Sequence, residues 1–242
     1  MRRRVFPWHA RPGLAGGIDK DGGRAAELLA LGFGSVEIGS VLPAAAPAVA
    51  ATLAAGCSDR RGAVGVGLGL PAEMPAEHLR ESWLSGLAVL WPVADYLSFN
   101  LSAAANCRFL LPEQWPRLAL ACRATAFQRD CWAAESGRHL PLALKFPLGN
   151  CGEALPAAAS IAAAAGFDLL TVVLPDEAGR FERLADLARD LDSGPALVAV
   201  GGIRSALDVT AARQAGAAGV QVHRLFVEQG ADCLTTLLRS TA

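Results

Sequence analysis

The stretch Leu197-Val198-Ala199-Val200-Gly201-Gly202-Ile203-Arg204-Ser205 places an aliphatic run, a glycine pair and a helix-start residue in direct succession. The four aliphatic residues show no polar alternation, as expected of a parallel strand covered on both faces. The glycines suit a tight turn, and Ser205 precedes a segment of helical composition, Ala206–Ala215. The same order recurs along the chain. Strands are expected at Gly13–Asp19, Ser35–Val41, Ala63–Gly69, Tyr96–Ser102, Leu142–Phe146, Leu169–Leu174, Leu197–Gly201 and Gly219–His223. Helices are expected at Arg24–Leu31, Ala76–Leu90, Glu113–Glu135, Ala157–Ala165, Phe181–Leu191, Ala206–Ala215 and Leu225–Leu238. Pro43–Cys57 reads as either helix or loop, and Pro75 and Pro156 stand just ahead of two helices. Eight strand-then-helix repeats without a long linker predict an α/β fold, a single (β/α)8 barrel domain over residues 1–242.

Composition narrows the partners. The 242 residues are 52% hydrophobic and carry a net charge of −1, which argues against nucleic acid, whose phosphates call for a basic surface. The basic opening Met1-Arg2-Arg3-Arg4 precedes no signal-like core, and the Ala44–Gly56 run is too short to span a bilayer. A cytoplasmic protein with no membrane partner is the expectation. Cysteines 57, 107, 122, 131, 151 and 233 lack metal-binding spacing, so no metal is expected.

Of 22 basic residues only Lys20 and Lys145 are lysine; the other 20 are arginine. A coding preference that replaces lysine wherever arginine serves would spare positions needing a compact ammonium. Lys20 follows the first strand and Lys145 lies near the end of the fifth, so both are expected at the C-terminal mouth, where barrel chemistry sits. Gly201 and Gly202 after strand seven, with His223 and Arg224 after strand eight, occupy the connections that often form barrel phosphate sites. A tight turn without ligand remains the alternative for the glycine pair.

Pro12 through Gly22, with Leu31 through Val41, resembles the opening of dihydroorotate dehydrogenases. Ser98-Phe99-Asn100-Leu101-Ser102, Ala143-Leu144-Lys145, Val200-Gly201-Gly202 and Ala215 through Val222 follow in the family's order. The resemblance implies FMN across the barrel mouth, its phosphate at the last two strand turns. Ala15, Gly16 and Ser40 would line the flavin, with Gly17 beside them. Lys145 would approach the N1–C2=O2 edge, Lys20 would reach flavin and an anionic substrate, and Asn100 would hydrogen-bond either.

The family's catalytic loop, Asn-x-Ser-(Ser or Cys)-Pro-Asn, reads Asn100-Leu101-Ser102-Ala103-Ala104-Ala105 here. Ala103 stands at the general-base position and cannot take a proton. Ala105 stands at a substrate asparagine, which Asn106 replaces only if the loop shifts. Cys107 and Cys151 are candidate displaced bases. Gly67 stands where the family has a flavin-contacting asparagine, and the excursion after strand six shrinks to Asp176–Arg180. His9 and His139 read as structural, His78 as solvent-facing, and His223 as bound to phosphate or packed on its turn. Asp19 either holds Lys20 or caps the next helix. The five tryptophans read as helix–barrel packing, with Trp8 a plug near the N-terminus.

The reading that best fits is an FMN-binding oxidoreductase acting on a small molecule other than dihydroorotate. A non-catalytic partner subunit or scaffold is one alternative. The other is a flavin-free barrel for a phosphorylated metabolite, using Lys145 or Lys20. A homodimer is the expected assembly.

Overall fold

The structure, a computed structural model, describes residues 6–56, 61–192 and 194–238; the basic Met1–Arg4 and Cys57 fall outside them. Eight parallel strands close in sequence order: β1 (Gly13–Asp19), β2 (Ser35–Val41), β3 (Ala63–Leu68), β4 (Tyr96–Asn100), β5 (Leu142–Pro147), β6 (Leu169–Val173), β7 (Ala196–Val200) and β8 (Ala217–Val222). Around them run α1 (Ala25–Ala30), α2 (Ala46–Gly56), α3 (Leu79–Leu90), α4 (Trp115–Ser136), α5 (Ala157–Ala164), α6 (Arg180–Asp190), α7 (Ala206–Gln214), α8 (Arg224–Gln229) and α9 (Cys233–Leu238). This is the expected (β/α)8 barrel. The ambiguous Pro43 segment opens with a 3-10 turn and continues as α2, and the expected last helix divides into α8 and α9 at Gly230–Asp232.

Two apolar layers follow from the strand pattern. Residues facing outward from the sheet, such as Val36, Val66, Leu97, Leu144 and Leu170, pack under the helices. Inside the barrel Ala63, Tyr96, Ala143, Leu169, Ala196 and Val198 meet Phe6 and Trp8. Trp8 stacks on Tyr96 at a centroid distance of 6.0 Å and on Phe6 at 4.6 Å, so it is the plug expected there. Trp83 packs against Phe99 and Trp91 against Trp132, but Trp115 lies on the surface and donates to the Leu110 carbonyl.

At the N-terminal end of the barrel, Asp168 joins several elements. Its carboxylate takes Arg129 Nη1 at 2.5 Å, the Leu142 N–H at 3.1 Å and His139 Nε2 at 2.8 Å. His139 is therefore structural. His78 is exposed as expected. His9 is buried, its Nδ1 has no partner among the described residues, and burial with the nearby Arg213 lowers its pKa to about 4.

A base whose folded pKa is depressed favours the unfolded chain once protonated. Stability from neutral His9 is therefore complete above pH 6.5 and is lost as the pH falls toward 4. The loss should approach about 2–3 kcal/mol. Urea unfolding of the parent and His9→Phe between pH 4 and 7 checks this: the parent should lose more stability on acidification, and equal slopes would refute it.

Candidate active site at the barrel mouth

Strand register sets the mouth. Asn100 pairs with Lys145 and Lys145 with Thr171, so these three positions share one level near the C-terminal ends. Lys145 is 7% exposed, and its ammonium donates to Glu37 Oε1 at 3.0 Å. Glu37 is itself 1% exposed. Its Oε2 accepts longer contacts from Tyr96 Oη at 3.5 Å and Gln221 Nε2 at 3.4 Å, while Gln221 Nε2 also donates to Tyr96 Oη at 3.1 Å. Burial, then the Glu37 charge, pushes the Tyr96 phenol well above its usual range, so it stays neutral.

Lys145 is an interior cation already paired with a carboxylate, whereas Lys20 lies exposed on the turn after β1. Asp19 does not hold Lys20. Its carboxylate accepts from the N–H groups of Gly22 at 2.9 Å and Arg24 at 3.1 Å, closing the turn ahead of α1, whose N-cap Arg24 has no side-chain cap.

Ala15 is buried, and Gly16 and Gly17 follow it along β1. Asn100 Nδ2 donates to Ser40 Oγ at 2.7 Å, and its Oδ1 accepts from Ser102 N at 2.9 Å and Ser102 Oγ at 2.7 Å. A Cβ at Gly17 would lie 2.9 Å from His223 Nε2. His223 therefore leans across onto β1 rather than onto its own turn. Burial, Lys145 and Arg224, in that order, lower its pKa, leaving the imidazole neutral at pH 7.

The turn after β7 differs from expectation in its donors. Gly201 and Gly202 have φ of +90° and +66°, conformations that favour glycine. The N-terminus of α7 is capped from within: Ser205 Oγ accepts from Asp208 N, and Asp208 Oδ2 accepts from Arg204 N at 2.9 Å. The Asp208 N–H of the first helical turn is thus taken by Ser205, and the Arg204 N–H ahead of the helix by Asp208. Guanidinium groups stand beside this turn. Arg180 reaches Asp208 at 2.9 Å and covers Gly202, where a Cβ would meet its Nε at 3.1 Å. Arg204 and Arg224 face the exposed Asp176 at only 3.7 and 3.9 Å. Exposed pairs of that kind contribute about 0–1 kcal/mol, so an entering anion displaces them readily.

The loop after β4 is a tight turn around Ala103. The Ala103 carbonyl accepts from Asn106 N and Cys107 N, folding the alanines into a turn. Asn106 is buried and donates to the Asn100 carbonyl at 3.1 Å, packing beneath the loop. Burial raises the Cys107 thiol pKa, and a hydrogen bond to Glu177 raises that of Cys151; neither is poised as a thiolate.

Sequence reasoning named Lys145 but missed Glu37, Tyr96, Gln221 and Arg180. A usable signal existed: Glu37 and Gln221 are polar residues inside otherwise apolar strands, where a buried partner is required.

The residues present suit a flavin phosphate at one end of this mouth and a polar ring edge at the other. The first fit rests on the loosely held arginines over a glycine turn, the second on the donor set of Lys145, Asn100 and Ser40. No protein-family model matches the chain. Dihydroorotate dehydrogenase (quinone) of Methylococcus capsulatus is 27% identical over 279 residues, spanning 95% of this chain and 82% of the relative. The same enzyme of Flavobacterium lutescens is 28% identical over 284 residues, spanning 94% and 80%. Among solved structures, ligand-free DHODH of Eimeria tenella superposes with a TM-score of 0.75 at 19% identity, covering 93% of this chain and 82% of that one. The last likeness carries the fold alone, whereas the sequence relatives run nearly end to end. The chain is a (β/α)8 barrel that is similar over nearly all of its length to dihydroorotate dehydrogenases (quinone).

Proposed function

We propose that the chain binds FMN at the C-terminal mouth and serves as an oxidoreductase for a small molecule other than dihydroorotate. One observation carries the reading: Asn100 meets Ser40 at 2.7 Å on the mouth while the loop after β4 has Ala103 where the resemblance calls for a base. Ala15, Gly16, Gly17, Ser40 and Asn100 would line the ring, with Lys145 at its polar edge and Lys20 at the rim. Gly201, Gly202 and Arg224 would hold the phosphate, aided by Arg204. Bound FMN supplies hydride transfer. Asn100 and Lys145 would orient the ring, and neutral His223 would be the candidate proton acceptor at the mouth.

A second reading, a flavin-free barrel for a phosphorylated metabolite, draws on the arginines at the β6–β8 turns, which need no flavin.

FMN fluorescence titration tests the proposal. The parent should bind about one equivalent and remain yellow after desalting, and dihydroorotate should fail to bleach it under anaerobic conditions. Arg224→Ala should weaken FMN roughly tenfold through loss of a charge-assisted contact. A colourless protein whose Arg224 binds inorganic phosphate without FMN would establish the second reading instead.

A further inference from the structure

Glu37 has no assigned part in the chemistry above, yet it is the acid that meets the mouth's buried cation. We infer that Glu37 is a positioning residue: it fixes the Lys145 ammonium and cancels its charge, so the mouth offers a hydrogen-bond donor without a net cation. The contact with Lys145, at 3.0 Å, is the shortest to either Glu37 oxygen; Tyr96 and Gln221 stand at 3.5 and 3.4 Å and are uncharged. Glu37 and Lys145 therefore neutralise each other within the barrel.

Two glycines make room for the carboxylate. A Cβ at Gly16 or at Gly67 would each lie 3.2 Å from Glu37 Oε1. The β1 and β3 backbones thus pack close on that oxygen and hold it against Lys145. The other titratable groups near Lys145 are His223, neutral at pH 7, and the neutral Tyr96. A ligand group seated over Lys145 is thus expected to be an uncharged acceptor, such as a carbonyl or amide edge. Anionic groups are directed to the arginines around the β6–β8 turns.

The two-lysine composition gives a direct test that needs no cofactor. The full chain, without added FMN, is acetylated at low reagent excess between pH 7 and 9, and Lys145 is compared with Lys20 by peptide mass spectrometry. Only the neutral amine reacts, and a buried amine deprived of its carboxylate shifts toward that form. Glu37→Gln should raise the Lys145-to-Lys20 labelling ratio roughly tenfold at pH 8. Tyr96→Phe loosens the same network but leaves the pair, so its ratio should match the parent. An unchanged ratio in Glu37→Gln, or an equal rise in Tyr96→Phe, overturns the inference. Should the Gln variant fail to fold, Glu37→Asp carries the test: withdrawing the carboxylate should raise the ratio severalfold, and a parental ratio overturns it. A failure of FMN to bind would leave this experiment untouched.

Discussion

Replacing Lys145 by Met should destabilise the barrel by about 3–5 kcal/mol, because it strands the Glu37 charge in the interior. The size of the effect comes from what is left behind. Methionine fills the space of the lysine stem, so packing loss is small. Glu37, 1% exposed, would retain only the long contacts from Tyr96 and Gln221. Removing both charges with Glu37→Gln/Lys145→Met should recover much of the loss, since desolvation opposes the pair nearly as strongly as attraction favours it. Urea unfolding of the four proteins closes the cycle, with an expected coupling of about 1–3 kcal/mol. Additive single effects would mean that the two side chains do not depend on each other in solution.

The barrel was legible because its signals are local and repeated. Apolar runs such as Leu197–Val200 can only be strands covered on both faces, and glycine-bearing turns separate them from helical segments at regular intervals. The wall residues Ala15, Gly16 and Ser40 came from the resemblance to dihydroorotate dehydrogenases and from no local pattern. What escaped was pairing across the barrel: Glu37 and Lys145 are 108 positions apart, and Gln221 and Tyr96 are 125 apart. No periodicity links such residues. The α7 cap was missed for a related reason. Asp208 reads as an ordinary first-turn acid, and only geometry shows that it also occupies the Arg204 N–H and holds Arg180. Lys145 was located correctly by composition, but composition says nothing about which charge it meets.

The arginine-for-lysine preference has a counterpart at a position where lysine would fail, and Arg183 is that position. It lies on the buried face of α6 with Leu184 and Leu187, where an amphipathic pattern calls for an apolar residue. Its guanidinium instead closes the loop after β5. Nε donates to Leu148 O at 3.1 Å and Gly149 O at 3.0 Å. Nη1 donates to Glu153 O at 2.9 Å, and Nη2 to Leu148 O at 2.9 Å and Ala154 O at 3.1 Å. Four carbonyls of residues 148–154 thus depend on one planar fork that is 4% exposed. Arg183→Ala should cost about 3 kcal/mol, less than four dry carbonyls would imply, because water enters the loop as it loosens. Arg183→Lys should recover less than half of that, since a compact ammonium cannot reach carbonyls on both sides. Amide hydrogen exchange locates the effect. Protection should fall at residues 148–154 and hold in β1–β3, far around the barrel. A uniform loss of protection, or a lysine variant as stable as the parent, would show that Arg183 only packs.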